Sequence, residues 1–177
     1  MMAKKKNKET LAVRTQLART AFREHSVPLY LTSSFVFDDA EMMRAMFADE
    51  IEGTIYSRFS NPNETEFTNK ICLLENAEAG VAMASGMAAV FTTFATLLKS
   101  GDHVLCCNSV FGATHTVLEK LLAKFGVTRT YVDIDKTSDW DKAVTKNTKL
   151  IFVEKPYTPG IDLIDLEWLG KFYKQHK

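Results

Sequence analysis

The apolar positions change their rhythm along the chain. Over the first fifty or so residues they are scattered. The one concentrated stretch there, LYLTSSFVF at 29–37, is β-branched and aromatic, which predicts an extended arm rather than a core module. From Asn63 the pattern becomes regular. Asn63 as N-cap with Glu66 three residues on predicts a helix whose Phe67, Ile71 and Leu74 share one face, with Pro62 fixing its start. A short strand is expected at 81–84. A helix capped by Ser85 follows, carrying Met87, Val90, Phe91, Phe94 and Leu98 and ending before Gly101. Residues 103–107 predict a strand, and 113–125 a helix with an apolar stripe of Val117, Leu118, Leu121 and Leu122 that Gly126 ends. Residues 127–132 predict another strand, Ser138 and Asp141 open a helix around 140–144, 149–153 is again strand-like, and a last helix runs over about 165–175.

Strands and helices thus alternate with connections too long for hairpins. The expected class is α/β, a mainly parallel sheet with helices on both faces. Residues 1–60 are expected to be an N-terminal arm making subunit contacts, and 61–177 the sheet-bearing domain. Such a sheet binds ligands beyond the carboxyl ends of its strands, which directs attention to the loops at 84–87, 108–114 and 154–160. The chain finishes on a helix whose Leu166, Leu169 and Phe172 must bury against that sheet, an awkward last element for a doubly wound domain, so the domain is expected to be incomplete.

Composition narrows the function classes. Twenty-two basic and 22 acidic side chains cancel, so no global field recruits nucleic acid or an anionic membrane, and a small-molecule substrate is expected. Lys4, Lys5 and Lys6 sit in an opening, MMAKKKNKET, that has no apolar run behind it. It reads as a solvated tail and not as a secretory signal. The apolar run at 81–98 is shorter than the roughly 20 residues of a membrane span and contains Ser85, Gly86 and three threonines. Cys72, Cys106 and Cys107 have neither metal-ligand nor CxxC spacing, and a reducing cytoplasm is the expected compartment; no metal is expected.

Three clusters carry candidate chemistry. Ala84-Ser85-Gly86-Met87 lies where a strand turns into a helix. Free backbone N–H groups converge there and Gly86 allows close approach, so the turn is either an anion cradle or an ordinary N-cap. Tyr56-Ser57-Arg58-Phe59-Ser60-Asn61-Pro62-Asn63 puts a guanidinium and an aromatic just before a helix, as a phosphate clamp or as a plain turn with an exposed arginine. Val110-Phe111-Gly112-Ala113-Thr114 offers an aromatic face for a flat heterocycle, or a core phenylalanine. There is no GxGxxG and no Gly-rich loop ending in Gly-Lys-Ser/Thr, so dinucleotide and triphosphate binding lack their main signatures. An anion cradle, an arginine and an aromatic plate at the loops of one sheet point instead to a flat, phosphorylated cofactor.

The order Tyr56-x-Arg58-x-x-Asn61-Pro62, Glu75, Ala84-Ser85-Gly86-Met87-Ala88-Ala89, Leu98-x-x-Gly101-Asp102-His103 and Phe111-Gly112-x-Thr114 resembles the Cys/Met-metabolism (transsulfuration) family of pyridoxal-phosphate enzymes. Glu24-His25-x-x-Pro28-Leu29-Tyr30 and Thr32-Ser33-Ser34-Phe35 are similar to that family's N-terminal arm. The resemblance implies an aspartate-aminotransferase-like, fold-type I large domain. It implies that Ser85, Gly86 and Met87 hold the cofactor phosphate, that Phe111 stacks on the pyridine ring, and that Tyr56 and Arg58 reach the phosphate of a neighbouring subunit's cofactor. A homodimer or homotetramer with shared sites follows. Many members carry tyrosine where this chain has Phe111, and phenylalanine in this setting resembles the O-succinylhomoserine sulfhydrylases. Those enzymes replace the succinyl group of an activated homoserine with sulfide by γ-replacement, giving homocysteine, and cysteine is the sulfur donor in the synthase alternative. Cystathionine γ-synthase and γ-lyase or methionine γ-lyase types are the alternatives within the family. Outside its chemistry stand a non-catalytic interaction module and an unrelated phosphate-binding α/β domain.

Two departures from the family pattern bear on the chemistry. In Glu154-Lys155-Pro156-Tyr157-Thr158-Pro159, threonine stands where the family's asparagine bonds the cofactor's ring hydroxyl, so Thr158 takes that place with a shorter side chain and no NH₂ donor. The family's Schiff-base lysine, and the aspartate that pairs with its ring nitrogen, lie beyond the point matching Lys177. They are expected to be absent from this chain, which would leave it inactive alone.

Overall fold

The computed structural model describes residues 7–157 and 160–176, and the chain divides into two units, Met1–Ala82 and Met83–Lys177.

In the first unit, helix α1 (Lys8–Arg14) begins inside the stretch read as a solvated tail, because the Asn7 side chain accepts the Thr10 amide at 3.0 Å and caps it. Helix α2 (Ala40–Phe47) is equally locally encoded. Asp39 accepts the Met42 amide at 2.7 Å, and Arg44 pairs with Glu41 and Glu50 at 2.7 Å each. Helix α3 (Pro62–Glu75) starts on Asn61 and not on Asn63. The Asn61 side chain accepts the Asn63 amide at 2.9 Å, which places Pro62 at the first helical position, where its missing N–H costs nothing. The expected apolar face of α3 also differs, since Phe67 and Ile71 are exposed and Glu66 is the buried residue. Its carboxylate is held by Lys70 Nζ at 2.8 Å and accepts the Leu17 amide at 3.5 Å. The arm at 29–37 is extended, but its pairing reduces to one antiparallel bridge between Ser34 and Tyr56. The expected strand at 81–84 does not form, since no strand among the described residues lies beside it to pair its backbone.

The second unit is α/β, as the periodicity predicts. Strands β1 (His103–Cys107), β2 (Thr128–Val132) and β3 (Thr148–Phe152) form a parallel sheet in the order β2-β1-β3, with His103 opposite Thr128 and Thr148. All five residues of β1 are buried, which requires cover on both faces of the sheet. Helix α4 (Gly86–Leu97) precedes β1. After β1, α5 (Gly112–Thr116) widens into a π turn, Val117–Leu121, and tightens into a 3-10 turn, Leu122–Phe125. Gly126 stops it at φ +78°, where a Cβ would collide with Ser100. A 3-10 turn, Thr137–Asp139, leads into α6 (Trp140–Ala143). Neither Ser138 nor Asp141 caps it; the anchor is the Trp140 indole N–H, which donates to the Asp133 carbonyl at 2.9 Å. Helix α7 (Leu166–Gln175) is capped by Asp165, which accepts the Glu167 and Trp168 amides. Of its expected face, Phe172 is buried and Leu169 partly so, but Leu166 is exposed. Trp168 completes the contact, edge-on to Trp140 and stacked on Phe172 at 5.3 Å in each case. Phe94, Leu105, Leu118, Trp140, Ile164 and Phe172 form the body of the core. Among the described residues no helix is long and apolar enough to cross a membrane.

Candidate cofactor site

Helix α4 leads through residues 98–102 into the start of β1, so its carboxyl end lies at the amino end of that strand. Phe94 of that helix meets Phe152, the last residue of β3, edge-on at 4.9 Å, so the helix runs back toward the carboxyl end of the sheet, where parallel sheets bind ligands. Ser85 caps that end in an extended conformation, its hydroxyl accepting the Ala88 amide at 3.1 Å. The Gly86 and Met87 amides, first in the helix, have no partner within it. Gly86 faces open space, with nothing within 4 Å of where a Cβ would stand. Capping and anion binding are therefore compatible here. The serine hydroxyl serves the helix, and the remaining N–H groups and the helix dipole face a space that a phosphate can enter.

Phe111 stands at the N-cap position of α5, and its side chain is 50% exposed, so it is not the core phenylalanine of the alternative reading. Its backbone is held from a distance. Glu154, just beyond β3, accepts the Phe111 amide at 2.8 Å and the hydroxyl of fully buried Thr114 at 3.0 Å. In the sequence Glu154 stands within a family pattern with no task of its own. Nothing local could have paired it with a residue 43 positions away. Beneath these loops the Cys106 thiol is pushed up to about 12, first by burial and then by Cys107 and Glu154, so it is protonated at neutral pH and serves packing. The Lys155 ammonium donates to the Ile164 carbonyl at 2.9 Å. Thr158 lies outside the described residues.

Tyr56 and Arg58 belong to the first unit. The Tyr56 carbonyl accepts the Phe59 and Ser60 amides at 2.8 and 3.1 Å, forming a tight turn, and the Arg58 guanidinium lies 5.2 Å from the Tyr56 ring centre. Ser57 donates its hydroxyl to the Thr32 carbonyl, and Asn61 Nδ2 donates to the Tyr30 carbonyl at 3.1 Å, so the turn is strapped to the arm. Among the described residues Arg58 is exposed and makes no ion pair. Its charge is available to an external anion.

The sequence profile of the family described as Cys/Met metabolism PLP-dependent enzymes matches residues 9–177. The chain belongs to this family. An O-succinylhomoserine sulfhydrylase of Pseudomonas aeruginosa is 42% identical over 163 residues, 92% of this chain and 40% of that protein. An L-methionine γ-lyase of Fusobacterium nucleatum is 39% identical over 171 residues, 97% of this chain and 43% of that protein. The crystal structure of a putative O-acetylhomoserine (thiol)-lyase from Campylobacter jejuni, which carries a pyridoxyl-lysine monophosphate, superposes with a TM-score of 0.91 at 34% identity, covering 97% of this chain and 42% of that one. This member of the Cys/Met-metabolism family thus spans about two-fifths of the length of the relatives it matches, and the family's cofactor is pyridoxal phosphate. The residues present fit that group. Unpartnered amides at a helix mouth suit its phosphate dianion, and a half-exposed phenyl face suits its ring.

Proposed function

We propose that the chain forms the phosphate- and ring-holding part of a transsulfuration enzyme of the O-succinylhomoserine sulfhydrylase type, which replaces the succinyl group of the activated homoserine with sulfide in the cytoplasm. The observation that carries this reading is the open, Ser85-capped mouth of α4 in a chain of a pyridoxal-phosphate family. When bound, the cofactor supplies an electron sink for negative charge developing on the amino-acid substrate. Ser85, Gly86 and Met87 hold its phosphate, the two amides directly and Ser85 by capping the helix end that presents them, and the positive end of α4 stabilises that charge. Phe111 covers one face of the ring and keeps water from it. Tyr56 and Arg58 act across a subunit boundary, Arg58 as a bidentate phosphate donor and Tyr56 as the aromatic that orients it. Residues 1–60 serve as the arm of that oligomer and 61–177 as the cofactor-binding domain. In the family's sequence pattern Thr158 takes the position of the asparagine that bonds the ring hydroxyl. The 42% identical sulfhydrylase and Phe111 favour γ-replacement, and the γ-lyase that aligns over 97% of the chain supports elimination from methionine as the second reading.

A chimera in which residues 9–177 replace the matching stretch of the Pseudomonas sulfhydrylase tests this. It is expected to form homocysteine from O-succinylhomoserine and sulfide. Mixed oligomers of its Arg58→Ala and Ser85→Ala forms are expected to regain part of the activity that each lacks alone, because one intact site can be assembled from two subunits. Release of methanethiol from methionine with no replacement product establishes the γ-lyase reading instead, and no recovery in mixed oligomers removes the shared site.

A further inference from the structure

We propose that Glu154 is a positioning residue for the cofactor ring, a single carboxylate from the end of β3 that holds the Phe111 loop in the shape that receives a flat heterocycle. The proposal rests on the reading of Phe111 as the residue covering the ring face. Three observations lead to it. First, α5 has no capping side chain of its own, since Phe111 occupies the N-cap position and can accept nothing there. Second, Glu154, two residues past the end of β3, grips the turn that opens α5 with both oxygens. One accepts the Phe111 amide at 2.8 Å, and the other accepts the Thr114 hydroxyl at 3.0 Å. Thr114 is fully buried, so its hydroxyl has no water to turn to if the carboxylate is removed. Third, this grip fixes Phe111 at φ −55° and ψ 141° while its ring stays half exposed. A turn pinned at the Phe111 amide and the Thr114 hydroxyl, with Phe111 itself half exposed, is the arrangement that pre-pays the ordering of a stacking residue. Glu154 also begins the loop that continues through Lys155 and Pro156, so it joins the two loops at the carboxyl ends of the adjacent strands β1 and β3.

The test compares the 177-residue chain with its Glu154→Ala, Glu154→Gln and Phe111→Ala variants. Amide hydrogen exchange is measured without cofactor, and pyridoxal phosphate titrations are then followed by amide NMR shifts. Glu154→Ala is expected to speed exchange at Phe111 and Thr114 by about tenfold or more, the scale of losing charge-assisted bonds, with β1 and β2 protection unchanged. It is also expected to weaken pyridoxal phosphate binding. Glu154→Gln is expected to restore both, because its amide oxygen can accept the Phe111 N–H while its NH₂ donates to Thr114. Loss of protection throughout the sheet in Glu154→Ala, or a loosened loop with unaltered binding while Phe111→Ala weakens it, overturns the positioning role and leaves the Phe111 reading standing. Unaltered binding in Phe111→Ala, or no shift at Ser85–Met87 in the parent chain, overturns the underlying reading and the proposal with it.

Discussion

The second unit buries a continuous set of large side chains around β1, from Phe94 and Leu105 to Trp140 and Phe172, whereas the first buries little more than Ala45 and the charged Glu66 among its described residues. What orders the first unit is a series of side-chain-to-backbone bonds. Asn63 accepts the Tyr30 amide at 2.8 Å and donates to the Pro28 carbonyl at 2.7 Å, Asn61 ties down the Tyr30 carbonyl, and Glu24 accepts the Thr20 amide at 2.8 Å. Its large apolar side chains point outward, with Phe22 93%, Leu31 92% and Val36 97% exposed. Open apolar surface of this kind is what the role proposed for the arm between subunits would cover. One unit is therefore expected to fail as a whole, and the other clamp by clamp.

Trp140→Ala breaks this comparison most strongly. It opens a cavity under α7, removes the edge-on contacts with Trp168 and Phe172, and frees the Asp133 carbonyl. A loss of about 3–5 kcal/mol is expected for the second unit, read as a lower urea midpoint with α7 and the sheet unfolding together. Loss confined to α6 would mean that the unit has no shared core. Asn63→Ala is smaller and local. Two hydrogen bonds go, about 1–2 kcal/mol, so the Tyr30 amide should exchange about tenfold faster while the midpoint of the second unit stays fixed. A shift of that midpoint would show that the two units are energetically coupled.

The same contrast decides what was legible in the sequence. In the second unit, each strand and most helices of the described structure appear close to where apolar periodicity and caps place them. Ser85, Asp165 and Gly126 act locally, and a buried core rewards the pattern that predicts it. In the first unit periodicity misleads. Phe67 and Ile71 look like a core-facing stripe but are exposed, because burial there is set by where Glu66 and Asn63 find long-range partners. Helix α2 lies outside the elements that periodicity predicts, although Asp39 and the Glu41–Arg44 pair are local signals for it. At the candidate site, residue type and position mark Ser85 and Phe111 as candidates. Glu154 is not marked, since a carboxylate gripping a turn 43 residues earlier leaves no trace in the sequence around either end.

The smallest effect tests how rigid the second unit's centre is. His103 lies in the middle strand, buried, with Nδ1 2.8 Å from the Thr148 hydroxyl on one flanking strand and Nε2 2.9 Å from the Thr130 hydroxyl on the other. A neutral imidazole satisfies both, one nitrogen donating and the other accepting, since each hydroxyl can play either part. Burial disfavours the charged form and lowers the pKa of His103 below its ordinary 6.5. In the unfolded chain the imidazole therefore takes up its proton first as the pH falls. The contribution of His103 to stability is complete above the unfolded value of 6.5, declines as the pH drops from there toward the folded value, and is constant at its reduced level below that. Other groups titrate over the same range, so the informative quantity is a difference. The urea midpoint of the parent chain minus that of His103→Gln, measured from about pH 7.5 to 5, is expected to shrink toward the acid end. A difference that stays constant or grows on acidification would mean that the sheet admits the imidazolium at no cost, and the centre of the second unit would then be as locally yielding as the clamps of the first.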